Sequence, residues 1–183
     1  MRQDRREDFY HNRIRQSGPY YADFDLASAE ILLSLRFTED VLQQACAPLL
    51  AQHGMSKSSV NILMLLRHGP DEGMQLHDLG DLLLVSRANI TGLIDHLEQK
   101  EYVTRVVDPS DRRARFARIT PKGATFLETF MPGHYRNTKS MLQGLSDEEK
   151  KQLLGLLKKT RESIAAHTSE FEQPAATELA NAK

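Results

Sequence analysis

Hydrophobic positions follow a helical rhythm along most of this chain and switch to a strand rhythm once. From Asp25 to His53, Leu26, Ile31, Leu32, Leu35, Val41 and Leu42 form a broad apolar stripe near the 3.6-residue period. One long helix is predicted there, kinked or ended by Pro48 and closed by Gly54. Ser56 can cap a second helix reaching His68, with Val60, Leu63, Met64 and Leu66 inward. Gly69-Pro70 and Gly73 break the pattern, and Met74-Gln75 reads as a lone bridging strand. A short helix over Leu76 to Leu84 carries Leu79, Leu82 and Leu83 inward. Val85-Ser86 is a turn, with Ser86 placed to cap the next helix. That helix, Arg87 to Lys100, puts Ile90, Leu93, Ile94 and Leu97 on one face and Arg87, Asn89, Thr91, Asp95 and Lys100 on the other.

The rhythm changes at Tyr102. Tyr102 to Val107 is β-branched and aromatic, and Asp108-Pro109-Ser110-Asp111 is turn chemistry. Arg115 to Thr120 alternates apolar and basic residues, Phe116 and Ile119 inward against Arg115 and Arg118, the period of a half-buried strand. After Pro121 and Gly123 a helix is predicted to about Gln143, kinked at Pro132-Gly133. Ser146-Asp147-Glu148-Glu149 is a capping box that opens a last helix bearing Leu153, Leu154, Leu156, Leu157 and Ile164. The first 22 or so residues are polar and end in Ser17-Gly18-Pro19, an arm with room for one short helical piece. From about Thr168 the chain is rich in Ala, Glu and Thr and is predicted to fray.

Composition narrows the class. At 183 residues, 40 % hydrophobic and 27 % charged, the chain reads as an ordinary globular protein with one domain as the default. One cysteine rules out an internal disulfide framework. No run approaches the roughly 20 apolar residues of a membrane span, and the N-terminal MRQDRREDFYHNR lacks the apolar core of a secretory signal, so a cytoplasmic location is expected. Net charge is −1, which does not announce a nucleic-acid binder. Locally the balance differs. Between Tyr102 and Lys122 stand six basic residues (Arg105, Arg112, Arg113, Arg115, Arg118, Lys122) and two acidic ones (Asp108, Asp111), a basic patch on a near-neutral chain.

Two helices joined by a short turn, then a basic hairpin, are the parts of a recognition helix with a β-wing. Small polar and cationic side chains at the start of the second helix suit the major groove. Arg87 can read guanine, Asn89 can read adenine, and Thr91 lies nearby. Ser86 and the first-turn N–H groups suit a phosphate. The tip, Asp-Pro-Ser-Asp-Arg-Arg, is stiffened by Pro109 and suits a minor groove, with Asp111 bracing Arg113. Nothing marks catalysis: no Gly-rich phosphate loop, nucleophile elbow or evident carboxylate pair is present. The seven histidines are scattered without a metal-ligand spacing, so neither metal nor cofactor is expected.

The run VSRANITGLIDHLEQKEYVTRVVDPSDRRARFARITPKG resembles the winged helix-turn-helix of the MarR family of bacterial transcription regulators. The family's wing pattern, Asp-x-x-Asp-Arg-Arg then an apolar strand and Thr-x-x-Gly, is matched by Asp108, Asp111, Arg112, Arg113, Ile119, Thr120 and Gly123, and the resemblance spans about residues 26–165. It implies a mainly α fold with a small β-wing. Residues 1–24 would be an N-terminal arm, 25–54 and 123–168 a helical dimerisation region, 55–122 the DNA-binding lobe and 169–183 a flexible tail. It further implies an obligate homodimer straddling a palindromic operator. Terminal helices with broad apolar stripes, which bury poorly in a small monomer, agree with this. Carried over by position, Ser86, Arg87, Asn89 and Thr91 become major-groove contacts, Arg113 the wing-tip arginine, and Arg112 and Arg115 backbone or support contacts. Ser56, Lys57 and Ser58 become phosphate anchors, and Asp108 and Asp111 support the wing.

Three positions depart from the pattern. Leu84 and Glu101 stand where Gly is frequent, and His96 stands where Arg is commoner, which would make one phosphate contact weaker or pH-dependent. Many family members release DNA when a small aromatic or phenolic anion binds where the dimer helices meet the DNA-binding lobe. His11, Arg15, Tyr20, Tyr21, Arg36 and His53 can supply cationic and aromatic groups for such a site. Other members sense oxidants through cysteine. Cys46, among apolar neighbours, has the setting of a small buried hydrophobe. Three readings stay open here: a ligand-released repressor, a DNA-binding architectural or protein-interaction module without a ligand, and a Cys46-based redox sensor.

Overall fold

The computed structural model describes residues 5–107 and 115–172, without the side chains of Arg87, Val107, Arg115 and residues 169–172. The wing-tip positions Asp108, Asp111, Arg112 and Arg113 lie outside the described residues. The first compact unit runs to His134 and the second begins at Tyr135.

The polar N-terminal arm is a helix, α1 (Arg5–Ser17), followed by a single 3-10 turn at Gly18–Tyr20. It is longer than the short piece the sequence suggests. Its support is tertiary: Arg15 donates to Glu30 at 2.7 Å and Arg6 pairs with Asp40 at 3.8 Å, both acids on α2 (Leu26–Gln52). Asp25 caps α2 by accepting from the Ser28 N–H at 2.7 Å. Of the two outcomes expected at Pro48, a kink or an end, the end does not occur: α2 runs on to Gln52. The last turn is held from outside, because Leu49 and Leu50 pack on the core. No described α2 residue is buried within the chain, and Ile31, Leu32 and Val41 are more than half exposed.

Helix α3 (Lys57–His68), strand β1 (Met74–Gln75), α4 (Leu76–Leu83) and α5 (Arg87–Gln99) follow, then β2 (Val103–Val107) and β3 (Arg115–Ile119). The strands make one antiparallel sheet in the order β1-β3-β2, with Met74 opposite Ala117 and Val103 opposite Ile119. Ile62, Leu63, Leu79, Ile90, Ile94 and Leu97 form the centre of the core. Two inward assignments change. Met64 is only partly buried while Ile62 is fully buried, and Leu82 is mostly exposed. The parity of β3 also changes. Ala117 is the buried residue, with Ile119 beside it, while Phe116 and Arg118 share the outer face. Phe116 and Ile119, three residues apart, cannot both face the core of a two-residue repeat.

Helix α6 (Pro121–Met141) continues through Pro132, the position where a kink was expected. Buried Phe130 and core-packed Met131 anchor the turn just before the proline. Beyond it lies α7 (Asp147–Glu172), opened by the predicted capping box: the Ser146 N–H donates to Glu149 at 2.7 Å and the Glu149 N–H donates to the Ser146 hydroxyl at 3.2 Å. Leu153, Leu154, Leu156 and Ile164 of α7 are exposed. Among the described residues, no helix is long and apolar enough to cross a membrane.

Candidate nucleic-acid interface

The helix-turn-helix is built by α4 and α5. Its turn is made at Leu84, whose backbone is left-handed (φ 53°, ψ 42°), while the N–H groups of Leu84 and Val85 reach back to the carbonyls of Asp81 and Gly80. The departure noted at this position is therefore real: a leucine takes a conformation that favours glycine. Ser86 then caps α5 by accepting from the Asn89 N–H at 3.3 Å. Ile90, Ile94 and Leu97 bury one side of α5. Ser86, Asn89 and Thr91 are exposed. Residues two apart on a helix differ by about 200°, so Asn89 and Thr91 flank the outward face, and Ala88 and Gly92 lie between them.

The other predicted phosphate anchors sit at the start of α3. The Ser56 hydroxyl accepts from the Ser59 N–H at 3.0 Å and lies 2.8 Å from the Ser59 hydroxyl, which is buried. Ser58 is half-buried, and Lys57 is exposed and pairs with Glu39 of α2 at 3.2 Å. Hydrogen bonds from Gln43 and Lys57 hold the Glu39 carboxyl below the ordinary carboxylate range.

The base of the wing explains the Thr-x-x-Gly motif. The Thr120 hydroxyl donates to the Glu101 carbonyl at 2.6 Å and accepts from the Gly123 N–H at 3.1 Å. A Cβ on Gly123 would lie 2.3 Å from the Tyr102 carbonyl oxygen, so only glycine fits. Glu101, the second departure, is also left-handed (φ 60°), and its carboxylate pairs with Lys122, which holds its pKa below the usual range. The third departure resolves differently. His96 Nε2 lies 3.2 Å from the Gly54 carbonyl oxygen, so this ring donates within the lobe.

The basic patch is thinner than the sequence implies. Arg105 is held by Asp95 and Glu98 of α5, and Lys122 by Glu101. Counting from Asp95 to Lys122, so that these acids are included, the basic surplus falls from four to two. Arg118 is exposed on the outer sheet face. Arg115 belongs to β3, and Arg87 begins α5. Sequence reasoning missed the role of Arg105. The available signal was a pair of acids, Asp95 and Glu98, on a helix otherwise suited to DNA.

The six residues suggested for a small anion do not come together within the chain. His11 and Arg15 meet at Glu30, with His11 Nδ1 at 3.5 Å, and the Arg15 hydrogen bond is the chief cause holding the Glu30 carboxyl below its ordinary range. Tyr20, Tyr21 and Arg36 are exposed. His53 caps the far end of α2, roughly 35 Å from Glu30 by the helical rise, and its ring meets Phe126 and Phe130 edge-on at 5.6 and 5.5 Å. A groove of about 540 Å³ opens elsewhere, between α3, β1 and α4. Met64, Leu65, Met74, Leu82 and Leu83 make its apolar walls, and Asn61 and His68 are its polar groups. This is where the displaced Met64 and Leu82 go. Cys46 is half-buried on α2. Among the described residues, no group of three His, Cys, Asp or Glu is placed to hold a metal.

Comparison with known proteins agrees with this geometry. Residues 53–114 match the profile of the MarR family. The transcriptional repressor YetL of Bacillus subtilis (strain 168) is 31 % identical over 147 residues, covering 80 % of this chain and 88 % of that one. Among solved structures, a MarR family regulator from Streptomyces coelicolor in complex with DNA superposes with a TM-score of 0.66 at 24 % identity, over 74 % of this chain and 88 % of that one. The PcaV regulator of the same organism, in complex with its natural ligand, gives a TM-score of 0.66 at 18 % identity, over 79 % and 99 %. The last two likenesses speak to fold. The chain belongs to the MarR family of non-enzymatic, DNA-binding transcription regulators.

Proposed function

We propose that this protein is a homodimeric repressor that binds a palindromic operator and is released by a small aromatic or phenolic ligand. The observation that carries the DNA reading is α5, whose inner face is locked in the core while Ser86, Asn89 and Thr91 stand in solvent at its N-terminal end. In this reading Arg87 joins them in the major groove. Arg112, Arg113 and Arg115 serve the wing with Asp108 and Asp111 as support, and Ser56, Lys57 and Ser58 meet flanking phosphates. Homodimerisation is supported by long helices that find no burial in one chain: none of the described side chains of α2 or α7 is buried. A second copy supplies the missing surface, and a two-fold dimer matches two half-sites. Repression follows the named role of YetL.

For the ligand, the groove between α3, β1 and α4 is the better seat than the scattered set of His11, Arg15, Tyr20, Tyr21, Arg36 and His53. Apolar walls with two polar groups suit a flat ring bearing a hydroxyl or carboxylate. A neighbour in fold, PcaV, has been crystallised with its natural ligand. The test is a gel-shift on DNA from upstream of the protein's own gene, with excess non-specific competitor. A discrete band, dissolved by one of a panel of aromatic acids, is the expected result. Sequence-tolerant binding with a steep salt dependence would favour an architectural module instead. A band untouched by the panel but lost with peroxide, and restored in Cys46→Ser, would move the sensing role to Cys46.

A further inference from the structure

The geometry points to Arg105 as a positioning residue that locks the recognition helix to the wing, without itself touching DNA. This rests on the operator-binding reading above. Arg105 lies on the inner face of β2, opposite Ala117, and its side chain hydrogen-bonds to α5. Its backbone N–H donates to Glu98 Oε1 at 3.1 Å, Nη1 binds Glu98 Oε2, and Nη2 reaches Asp95 Oδ1 at 2.5 Å and the Thr91 carbonyl at 3.4 Å. Thr91, Asp95 and Glu98 lie at i, i+4 and i+7, one stripe over two turns of α5. A single planar guanidinium therefore bridges the middle and the end of the helix. The same residue's peptide group belongs to the strand that leads into the wing tip. Rotation of α5 about its axis and tilt of β2 become one coordinate.

The chemistry favours a lock over a phosphate contact. The side chain is only 24 % exposed, and its Nε is buried without a hydrogen-bond partner among the described residues. Burial works against the charge, but the hydrogen bonds Arg105 donates to Asp95 and Glu98 outweigh it and raise the Arg105 pKa above its ordinary value. The cation is already committed to two carboxylates. Lysine, a point charge without the planar fork, cannot hold both acids and the Thr91 carbonyl in this geometry. Two acids on a DNA-facing helix repel phosphates, so their presence is costly to affinity unless they orient something.

The test uses Arg105→Gln, Arg105→Lys and the double change Asp95→Asn with Glu98→Gln in the full chain. Binding is measured by fluorescence anisotropy over a salt series, against a duplex enriched from a random library by the wild-type protein and against a scrambled duplex. Thermal melting of each variant checks the fold. Arg105→Gln is expected to weaken binding to the selected duplex about tenfold or more, the loss of about 1.4 kcal/mol. The salt slope is expected to hold, because a lost phosphate contact would lower that slope by about 0.9, and scrambled-duplex binding is expected to weaken less than selected binding, only through the two uncovered carboxylates. The double neutralisation should tighten scrambled binding yet weaken selected binding, and adding Arg105→Gln to it should add little. Arg105→Lys should keep scrambled binding and melting temperature while losing selected affinity. Arg105→Lys at wild-type affinity, or a double neutralisation that tightens both duplexes alike, overturns the lock. A wild-type protein that prefers no duplex overturns the operator reading itself.

Discussion

Leu84 offers the cleanest test of the energetics, because its cost and its benefit are both readable from geometry. It sits in the left-handed region at φ 53° and ψ 42°, with its side chain 93 % exposed. A residue with a Cβ carries about 1–2 kcal/mol of penalty there. Full burial of a leucine is worth about 1.5–3 kcal/mol, so the small fraction shielded here contributes only about 0.1–0.2 kcal/mol. Replacing Leu84 with glycine removes the penalty but costs about 0.5–1 kcal/mol of extra chain entropy. The turn's hydrogen bonds survive, since both come from backbone N–H groups. Leu84→Gly should therefore stabilise the chain by about 0.5 kcal/mol. Leu84→Ala, which keeps the strain and loses only exposed surface, should be nearly neutral. Glu101→Gly relieves the same strain at φ 60° but gives up the ion pair with Lys122; exposed pairs are worth about 0–1 kcal/mol, so its net effect should be smaller than that of Leu84→Gly. Urea unfolding followed by circular dichroism at several protein concentrations measures all three, the concentration series guarding against a dimer contribution. If Leu84→Gly and Leu84→Ala both destabilise, and more so at high concentration, Leu84 is buried against a second copy and the strain argument fails.

Three further outcomes follow from the same geometry. Gly92 lies mid-helix on the outward face of α5, and a Cβ there would meet nothing within 4 Å. Gly92→Ala should stabilise the fold by about 0.5–1 kcal/mol while weakening operator binding in anisotropy titrations; unchanged affinity would mean DNA does not approach this backbone. Gly123→Ala forces a Cβ against the Tyr102 carbonyl and should cost about 1–3 kcal/mol in a urea melt. A neutral result would show that the α6–β2 junction relaxes freely. Glu30 is depressed chiefly by its Arg15 hydrogen bond, so its tie between α1 and α2 is present above the ordinary glutamate value and is lost as pH falls through the lower folded one. Exposure of α1, read by hydrogen exchange corrected for the intrinsic rate at each pH, should rise as pH drops below the ordinary glutamate range and should already be high above that range in Glu30→Gln; equal exposure in both proteins at every pH would dismiss this tie.

The features read correctly from sequence are those set by neighbours along the chain. Ser56, Ser86 and Ser146 cap helices because their partners are three residues away, and α5 is found because Ile90, Ile94 and Leu97 repeat with the helix. The errors share a different cause. Periodicity gives the direction of a side chain but not how deep the neighbouring wall lies, so Met64 and Leu82 read as core and instead line a groove. Pro48 read as a kink or an end of α2, and the end does not occur because the packing of Leu49 and Leu50 that carries the helix past it is tertiary. The arm reads as holding one short helical piece because it is polar, whereas α1 runs over 13 residues and its partners Glu30 and Asp40 lie on another helix. Phe116 was placed inward on its hydrophobicity, whereas the register with β1 and β2 turns Ala117 inward.

Charge is the case where this distinction alters the functional argument. The cations between Tyr102 and Lys122 look like a blanket that would hold any duplex, but Arg105 and Lys122 are neutralised by acids just upstream. With a surplus of only two over Asp95 to Lys122 and a whole-chain charge of −1, non-specific attraction is weak. Counterion release scales with phosphates neutralised, so the affinity of one lobe leans on few contacts placed well. Two consequences follow. The orientation of α5 relative to the wing matters more here than in a strongly basic domain, which fits the half-buried Arg105 guanidinium turning toward α5. A second lobe on the same duplex matters more as well, because the effective concentration of a tethered partner can raise weak single-lobe binding by orders of magnitude. The unburied apolar faces of α2 and α7 and the thin basic patch both support the two-copy reading proposed above, in which grip on DNA depends on geometry more than on charge.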